Sequence, residues 1–312
     1  MSRNYKDKIN ANKAHEVIKK TRCEIKKYFD KHKLTYAIFG KSMGLDSSVI
    51  AGLFSGISGI KPIALILPCE SSPDDERIAK TVLKHFKIPW IKVDLTDSYR
   101  YLKNDYSNKN KVDSQLEELV TKYGDSKMMN YAKSRERFAL GNIKVRLRMT
   151  TLYHVAQLTG GVVVSTDNFS EWWMGFWTLN GDVGDFSPIQ QIFKGIELYE
   201  IARALGVPKE SIDAKPTDGL NIVPGGGDED QLGLPYDKLD PVIIELLKAD
   251  YDNWNVSRGD KGEIALKIAK KLNYPLDKIT HIANQMRNTY FKRRVPVQVK
   301  RENIGLPEIS KL

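Results

Sequence analysis

Across 312 residues the chain carries a formal net charge of +10, with 41% apolar and 28% charged residues, a balance that fits a globular chain with a sizeable core. No run of 18 apolar residues occurs, and the lysine-rich N-terminus lacks the apolar stretch of a secretory leader, so neither a membrane-spanning helix nor a signal peptide is expected. Ala14, Val17, Ile18, Thr21, Ile25, Tyr28 and Phe29 recur at helical spacing and predict an amphipathic N-terminal helix. Tyr36-Ala37-Ile38-Phe39 is a strand ending at Gly40, and a helix runs from about Asp46 to Gly56. Pro62 to Leu67 reads as a buried parallel strand, Pro73 opens a helix that ends near Phe86, and Trp90 to Asp94 is a third strand.

Residues 97–134 are polar and read as an insertion, either helical or partly mobile. A long helix follows from about Arg137 to Leu158, stopped by Gly160-Gly161, and Val162 to Ser165 is a fourth strand. Gly195 to Leu205 and Pro241 to Met286 are predicted helical, with a glycine-rich acidic loop from Pro224 to Asp230. The βαβαβ rhythm predicts a single α/β domain over 1–312, a doubly wound, mostly parallel sheet with helical C-terminal additions and its ligand at the carboxyl ends of the strands.

The charge is uneven. Residues 1–33 hold 11 Lys/Arg against 4 Asp/Glu and residues 287–312 hold 7 against 2, which leaves the middle of the chain near neutral. No aromatic RNA-binding motif, zinc finger or helix-turn-helix accompanies these basic ends, so they are read as solvated helix faces and lysines that meet an anionic small molecule, not as a nucleic-acid surface. Cys23 and Cys69 form no metal or redox spacing and lie in no nucleophile motif, which makes a reducing, cytoplasmic setting the expectation.

The chemical signal begins at Gly40-Lys41-Ser42-Met43-Gly44-Leu45-Asp46-Ser47-Ser48, a glycine- and serine-bearing turn between strand and helix. Such a turn aims backbone N–H groups and a helix N-terminus at phosphate. It is not a Walker A loop, since no Gly-Lys-Ser/Thr closes the required spacing. It resembles the SGGxDS pyrophosphate loop of ATP pyrophosphatases, with Met43 where the first glycine of the pair is expected. Further along come Asn142–Met149, Ser165–Glu171, Gly181-Asp182, Pro188, Lys194, Lys215–Leu220, Asp230–Tyr236 and Lys292–Pro296. Together, in this order, these segments resemble NAD synthetase of the ammonia-dependent type, from about Ala14 to Pro296.

That resemblance implies an adenine-nucleotide α-hydrolase-like fold, a homodimer, and a reaction joining ATP, deamido-NAD and ammonia to give NAD, AMP and pyrophosphate. It implies that Ser42, Met43, Gly44, Leu45, Asp46, Ser47, Ser48 and Val49, with Thr166, Lys194 and Thr217, hold ATP. Asp46 and Glu171 would bind Mg²⁺, which commonly takes one or two carboxylates beside phosphate oxygens. Arg146, Asp185, Phe291 and Lys292 would meet deamido-NAD, the basic tail 287–312 closing over it. Asp182 would orient ammonium and accept its proton, making Asp46, Lys194 and Asp182 the expected catalytic group. At least two of Trp172, Trp173 and Trp177 are read as core. Leu179 and Phe291 stand where a lysine and a histidine are usual, which leaves another pyridine nucleotide or acid as an open substrate. The alternatives are another adenylating ATP pyrophosphatase, tRNA-modifying or GMP-synthetase-like, and a non-catalytic nucleotide- or RNA-binding relative. A separate glutaminase would be the partner if glutamine were the nitrogen source.

Overall fold

Four short strands, β1 (Tyr36–Gly40), β2 (Lys61–Ile66), β3 (Trp90–Lys92) and β4 (Val162–Val163), form one parallel sheet in the order β3-β2-β1-β4. This computed structural model describes residues 8–107, 112–124, 126–217, 219–220, 227–249, 258–294 and 304. Ala37, Ile38 and Phe39 are fully buried, as a strand covered on both faces requires. Register pairs Ile38 with Ile63 on one side and with Val163 on the other. The chain leaves β1 toward β2 and later returns to its opposite edge as β4. The switch point therefore lies between β1 and β4, where a crevice opens at the carboxyl ends of the strands.

One face of the sheet is covered by α1 (Ala11–Lys31), α2 (Leu45–Ser55) and α8 (Tyr199–Leu205) around Phe29, Phe39, Ile50, Phe54 and Ile201. α3 (Pro73–His85) joins them, opened by a Ser72–Asp75 capping box with Pro73 in its first turn. The other face meets α4 (Thr96–Ser107) and α6 (Ser126–Thr159) through Ile38, Leu65, Val163, Tyr99, Met149 and Leu152. The sheet is doubly wound, as expected from the sequence.

α11 (Tyr236–Lys248), α12 (Arg258–Leu272) and α13 (Leu276–Asn288) build a second apolar cluster with α7 (Phe169–Met174), centred on Tyr236, Leu239, Ile243, Ile279 and Met286. The crevice lies between this helical part and the sheet.

Several boundaries differ from expectation. α6 begins at Ser126, eleven residues before Arg137, and the described residues of 97–134 are largely helical, with α5 at Asp113–Tyr123 between α4 and α6. β4 is only two residues long, extended by a bridge from Val164 to Phe186. Lys194–Leu198 forms a π-helical turn ahead of α8 instead of an α-helical start at Gly195. The loop expected at Pro224 to Asp230 gives way at Asp228 to a short helix, α10 (Asp228–Leu232). Pro224 and the tail from Val295 to Asn303 lie outside the described residues. Among the described residues no helix is long and apolar enough to cross a membrane.

Candidate active site

The crevice has a volume of about 830 Å³ and runs from the β1–α2 loop to α6 and the start of the C-terminal turn at Phe291 and Lys292. Backbone geometry shapes the loop. Positive φ among described non-glycine residues occurs only at Lys33, Glu70, Lys87, Asn180 and Asn273, so Met43 takes an ordinary backbone conformation and needs no glycine there. Gly44 is extended (φ −65°, ψ 160°) and serves as N-cap of α2. Ser47 Oγ lies 3.2 Å from Ser42 Oγ, and the Gly44 N–H donates to Ser42 Oγ at 3.1 Å. Met43 is anchored by its carbonyl oxygen, which accepts from Ser211 Oγ at 2.7 Å.

A charged cluster faces this loop. Lys194 Nζ lies 2.9 Å from Asp46 Oδ2, 3.1 Å from Glu171 Oε1 and 4.0 Å from Asp228 Oδ2, and sits 4.5 Å from the Tyr236 ring centroid. Asn168 links the two nearer carboxylates: its Nδ2 donates to Asp46 Oδ1 at 2.8 Å and its backbone N–H to Glu171 Oε2 at 3.3 Å, while its side chain caps α7 by accepting from the Glu171 N–H at 3.0 Å. The π-helical turn projects Lys194 inward. Gly195 allows the close packing behind it, because a Cβ there would stand 2.3 Å from the Tyr236 carbonyl carbon and the Asp237 nitrogen.

One ammonium thus serves three carboxyl groups. Burial opposes charge on Lys194, but Asp46, Glu171, Tyr236 and Asp228 outweigh it and hold its pKa well above the ordinary value. Burial pushes Glu171 up to about 7, Lys194 only partly offsetting it and Asp46 and Asp228 adding to the rise. Asp167, at the floor of the crevice, is raised by burial and then by Asp182, Glu171 and Asp46, and its Oδ2 is buried without a hydrogen-bond partner. Asp182 is also raised by burial, although the Thr178 N–H, Arg148 and Lys292 act against it. The site gathers acids that keep a proton more readily than ordinary carboxyls, facing a loop of hydroxyl and N–H donors.

The profile of the NAD synthase family matches residues 17–296. The chain belongs to this family. It is 35% identical over 221 residues to the NH₃-dependent NAD⁺ synthetase of Finegoldia magna, spanning 70% of this chain and 80% of the relative. It is 30% identical over 286 residues to the NH₃-dependent NAD⁺ synthetase of Methanocaldococcus jannaschii, spanning 90% of this chain and 95% of the relative. The solved NMN synthetase of Francisella tularensis shares the fold at TM-score 0.66 and 24% identity, over 92% of this chain and 98% of that one.

Within this NAD synthase fold, most residues singled out in the sequence line one crevice: Ser42, Met43, Gly44, Leu45, Asp46 and Ser47 on the loop, with Thr166, Glu171, Asp182, Lys194 and Thr217 across from it. Arg146, Leu179, Phe291 and Lys292 stand toward its other end. Arg146 Nε donates to the Leu179 carbonyl at 3.2 Å, and Lys292 Nζ donates to the Gly175 carbonyl at 2.7 Å. Three expected residues lie elsewhere. Val49 is fully buried in the main core, because α2 is enclosed on nearly all sides beyond its first turn. Ser48 turns backward, donating to the Gly44 carbonyl at 2.7 Å and meeting Ser211 Oγ at 2.7 Å. Asp185 does not line the crevice: it accepts from Tyr153 Oη at 2.8 Å and from the Val163 N–H at 3.0 Å, fastening the edge of β4.

Of the tryptophans, Trp173 packs on the helical core, while Trp177 is buried, stacks on Trp172 at 5.3 Å and lines the crevice. Sequence reasoning gave no role to Asp167, Asn168, Asp228 or Tyr236. The signal for two of them was present, since Asp167 and Asn168 directly follow Thr166 at the end of β4, where ligand-facing residues of such sheets belong.

Proposed function

We propose that this chain amidates deamido-NAD with ammonia, consuming ATP and releasing AMP and pyrophosphate. The observation that carries the reading is the meeting of the β1–α2 loop with the Asp46–Lys194–Glu171 cluster in one crevice. A carboxylate is a poor acyl donor, so the nicotinate carboxylate first attacks the α-phosphorus of ATP. The P–O bond to pyrophosphate breaks as the new one forms, giving a mixed anhydride with AMP as leaving group. Ammonia then adds to the carbonyl carbon and AMP departs.

In this reading the Ser42 and Ser47 hydroxyls and the loop N–H groups receive the charge that develops on pyrophosphate, and Lys194 adds a cation. Asp182 takes the proton that ammonium must shed before its nitrogen attacks. Among the described residues no cluster of three or more His, Cys, Asp or Glu side chains forms a ready metal cage. Two carboxylates converging on one cation position do suit Mg²⁺ that is shared with phosphate oxygens. Asp46 and Glu171 would hold it there, and when bound it would neutralise the departing pyrophosphate. Arg146 and Lys292 supply positive charge at the dinucleotide end. Exposed Phe138 and Tyr153 on one side of α6 support pairing of two copies through this helix.

Incubation with ATP, Mg²⁺, ammonium and deamido-NAD should yield NAD, AMP and pyrophosphate in equal amounts. Stoichiometric ADP would overturn the adenylation reading. Leu179 and Phe291 present apolar surface where a lysine and a histidine are usual, so a shorter acceptor, nicotinate mononucleotide, belongs in the same assay. Preferential amidation of that acid would reassign the substrate while leaving the adenylation chemistry intact.

Glutamine alone should not support turnover. A glutaminase needs an activated nucleophile, usually a cysteine of lowered pKa. Burial instead raises Cys69, whose Sγ lies 3.8 Å from the Leu95 carbonyl oxygen, and Cys23 is exposed on α1 and does not line the crevice. NAD formation from glutamine by ammonia-free protein would refute this.

A further inference from the structure

Three lysines are buried among the described residues, and two have an evident partner: Lys144 pairs with Glu70 at 3.0 Å, and Lys194 pairs with Asp46 and Glu171. Lys41 is different. It follows the last residue of β1 and is 4% exposed, yet no carboxylate stands within ion-pair distance of it among the described residues. Its backbone N–H donates to the Leu65 carbonyl at 2.8 Å, continuing the β1–β2 ladder. The residue lines the crevice, and its side chain turns back on the phosphate loop, where Nζ donates to the Ser42 carbonyl oxygen and, at 3.2 Å, to Ser47 Oγ. Burial of this kind lowers the stability of the charged form, and its pKa falls to about 7 even with Asp46 acting to raise it. The fold alone has no use for an ammonium at this position.

The loop does. A trans peptide is planar, with its C=O and N–H pointing in opposite directions. The contact of the Ser42 carbonyl with Lys41 therefore fixes the Met43 N–H on the opposite side of that peptide. The contact with Ser47 Oγ fixes that hydroxyl in the same way, and it stands 3.2 Å from Ser42 Oγ. Ser211 holds the next peptide through the Met43 carbonyl. Lys41 and Ser211 thus hold two successive peptides of the loop through their carbonyl oxygens.

We propose that Lys41 is a positioning residue for pyrophosphate recognition: it presets the Ser42–Met43 peptide and the Ser47 hydroxyl toward the phosphates and places a positive charge directly behind them. The inference rests on the reading of this loop as a pyrophosphate site. It requires neither the identity of the acid that is amidated nor turnover.

The test is calorimetric binding of magnesium pyrophosphate to the wild-type chain, Lys41→Met and Lys41→Gln, with thermal melting and steady-state kinetics alongside. Both substitutions should weaken pyrophosphate binding at least about tenfold, the scale of lost hydrogen bonds to a charged group, and raise KM for ATP similarly. KM for ammonium should stay put, and the melting temperature should hold or rise, because a buried charge has been removed. Lys41→Gln, which keeps a donor for the Ser42 carbonyl, should lose less than Lys41→Met. Wild-type binding retained by either folded variant overturns the role. So does a failure of both to fold, since that would make Lys41 a support of the core. A wild-type chain that binds no magnesium pyrophosphate would instead sink the reading of the loop itself.

Discussion

Lys194→Met should lower kcat/KM for NAD formation by about a thousandfold or more, the upper range for removing a preorganised charge that meets developing negative charge. The geometry gives two reasons. Lys194 lies within 4.0 Å of Asp46, Glu171 and Asp228 at once, and its turn projects it into the crevice. Without it, Asp46 and Glu171 lose the cation that lies 2.9 and 3.1 Å from them, a state that repels triphosphate as well as lacking a donor for it. Stability should fall by about 3–5 kcal/mol, as when one partner of a buried pair is removed. Lys194 has a raised folded pKa, so its contribution is complete below the unfolded lysine value and is lost only as pH rises through the folded one. The deficit in the variant should therefore span the whole neutral range, and it should be smaller near pH 5.5 than near pH 8, because Glu171, already raised to about 7, can take up a proton at the lower pH. Activity within tenfold of wild type would remove Lys194 from the machinery.

The phosphate loop was legible because its signal is local: an apolar strand, a serine- and glycine-bearing turn and a helix start lie within twenty residues. The Asp46–Glu171–Lys194 cluster was not legible in that sense. Its members stand on three segments more than a hundred residues apart at the extremes, and only resemblance to a family tied them together. The apolar run placed α2 correctly but not its faces, because a helix enclosed by sheet and neighbours shows no polar stripe, and Val49 entered the ATP-binding set through the resemblance alone. Two aspartates three residues apart, Asp182 and Asp185, looked alike in sequence; one enters the crevice and the other fastens β4. Neither Lys41 nor Asp240 was given a role from the sequence. Residues that act beneath a site rather than in it leave no pattern in their own neighbourhood.

Asp240 carries the largest expected effect on folding. It is fully buried on α11 and accepts from the Gly195 N–H at 2.7 Å, the Ile196 N–H at 3.1 Å and Ser170 Oγ at 2.6 Å. Ser170 Oγ in turn accepts from the Lys194 N–H at 3.0 Å, so one side chain ties the helical core to the turn that aims Lys194. Asp240→Ala would strand three buried donors at about 1–3 kcal/mol each, a loss comparable with the whole stability of many domains. Asp240→Asn is the informative variant: it keeps volume and one acceptor, and should fold while losing activity through a misplaced Lys194. The pH dependence separates its charge from its shape. Burial pushes Asp240 up to about 7, although Ser170 and the two N–H groups pull it down. With the folded pKa above the unfolded one, the native state binds the extra proton, so this group destabilises the wild-type fold increasingly as pH rises from about 4 to 7. Glu171, Asp167 and Asp182 are raised as well and add the same slope. The ligand-free chain should accordingly melt at a higher temperature near pH 5.5 than near pH 7.5, and Asp240→Asn should flatten that difference. An unchanged slope in Asp240→Asn would mean that Asp240 is ionised throughout this range, held as a carboxylate by its three donors.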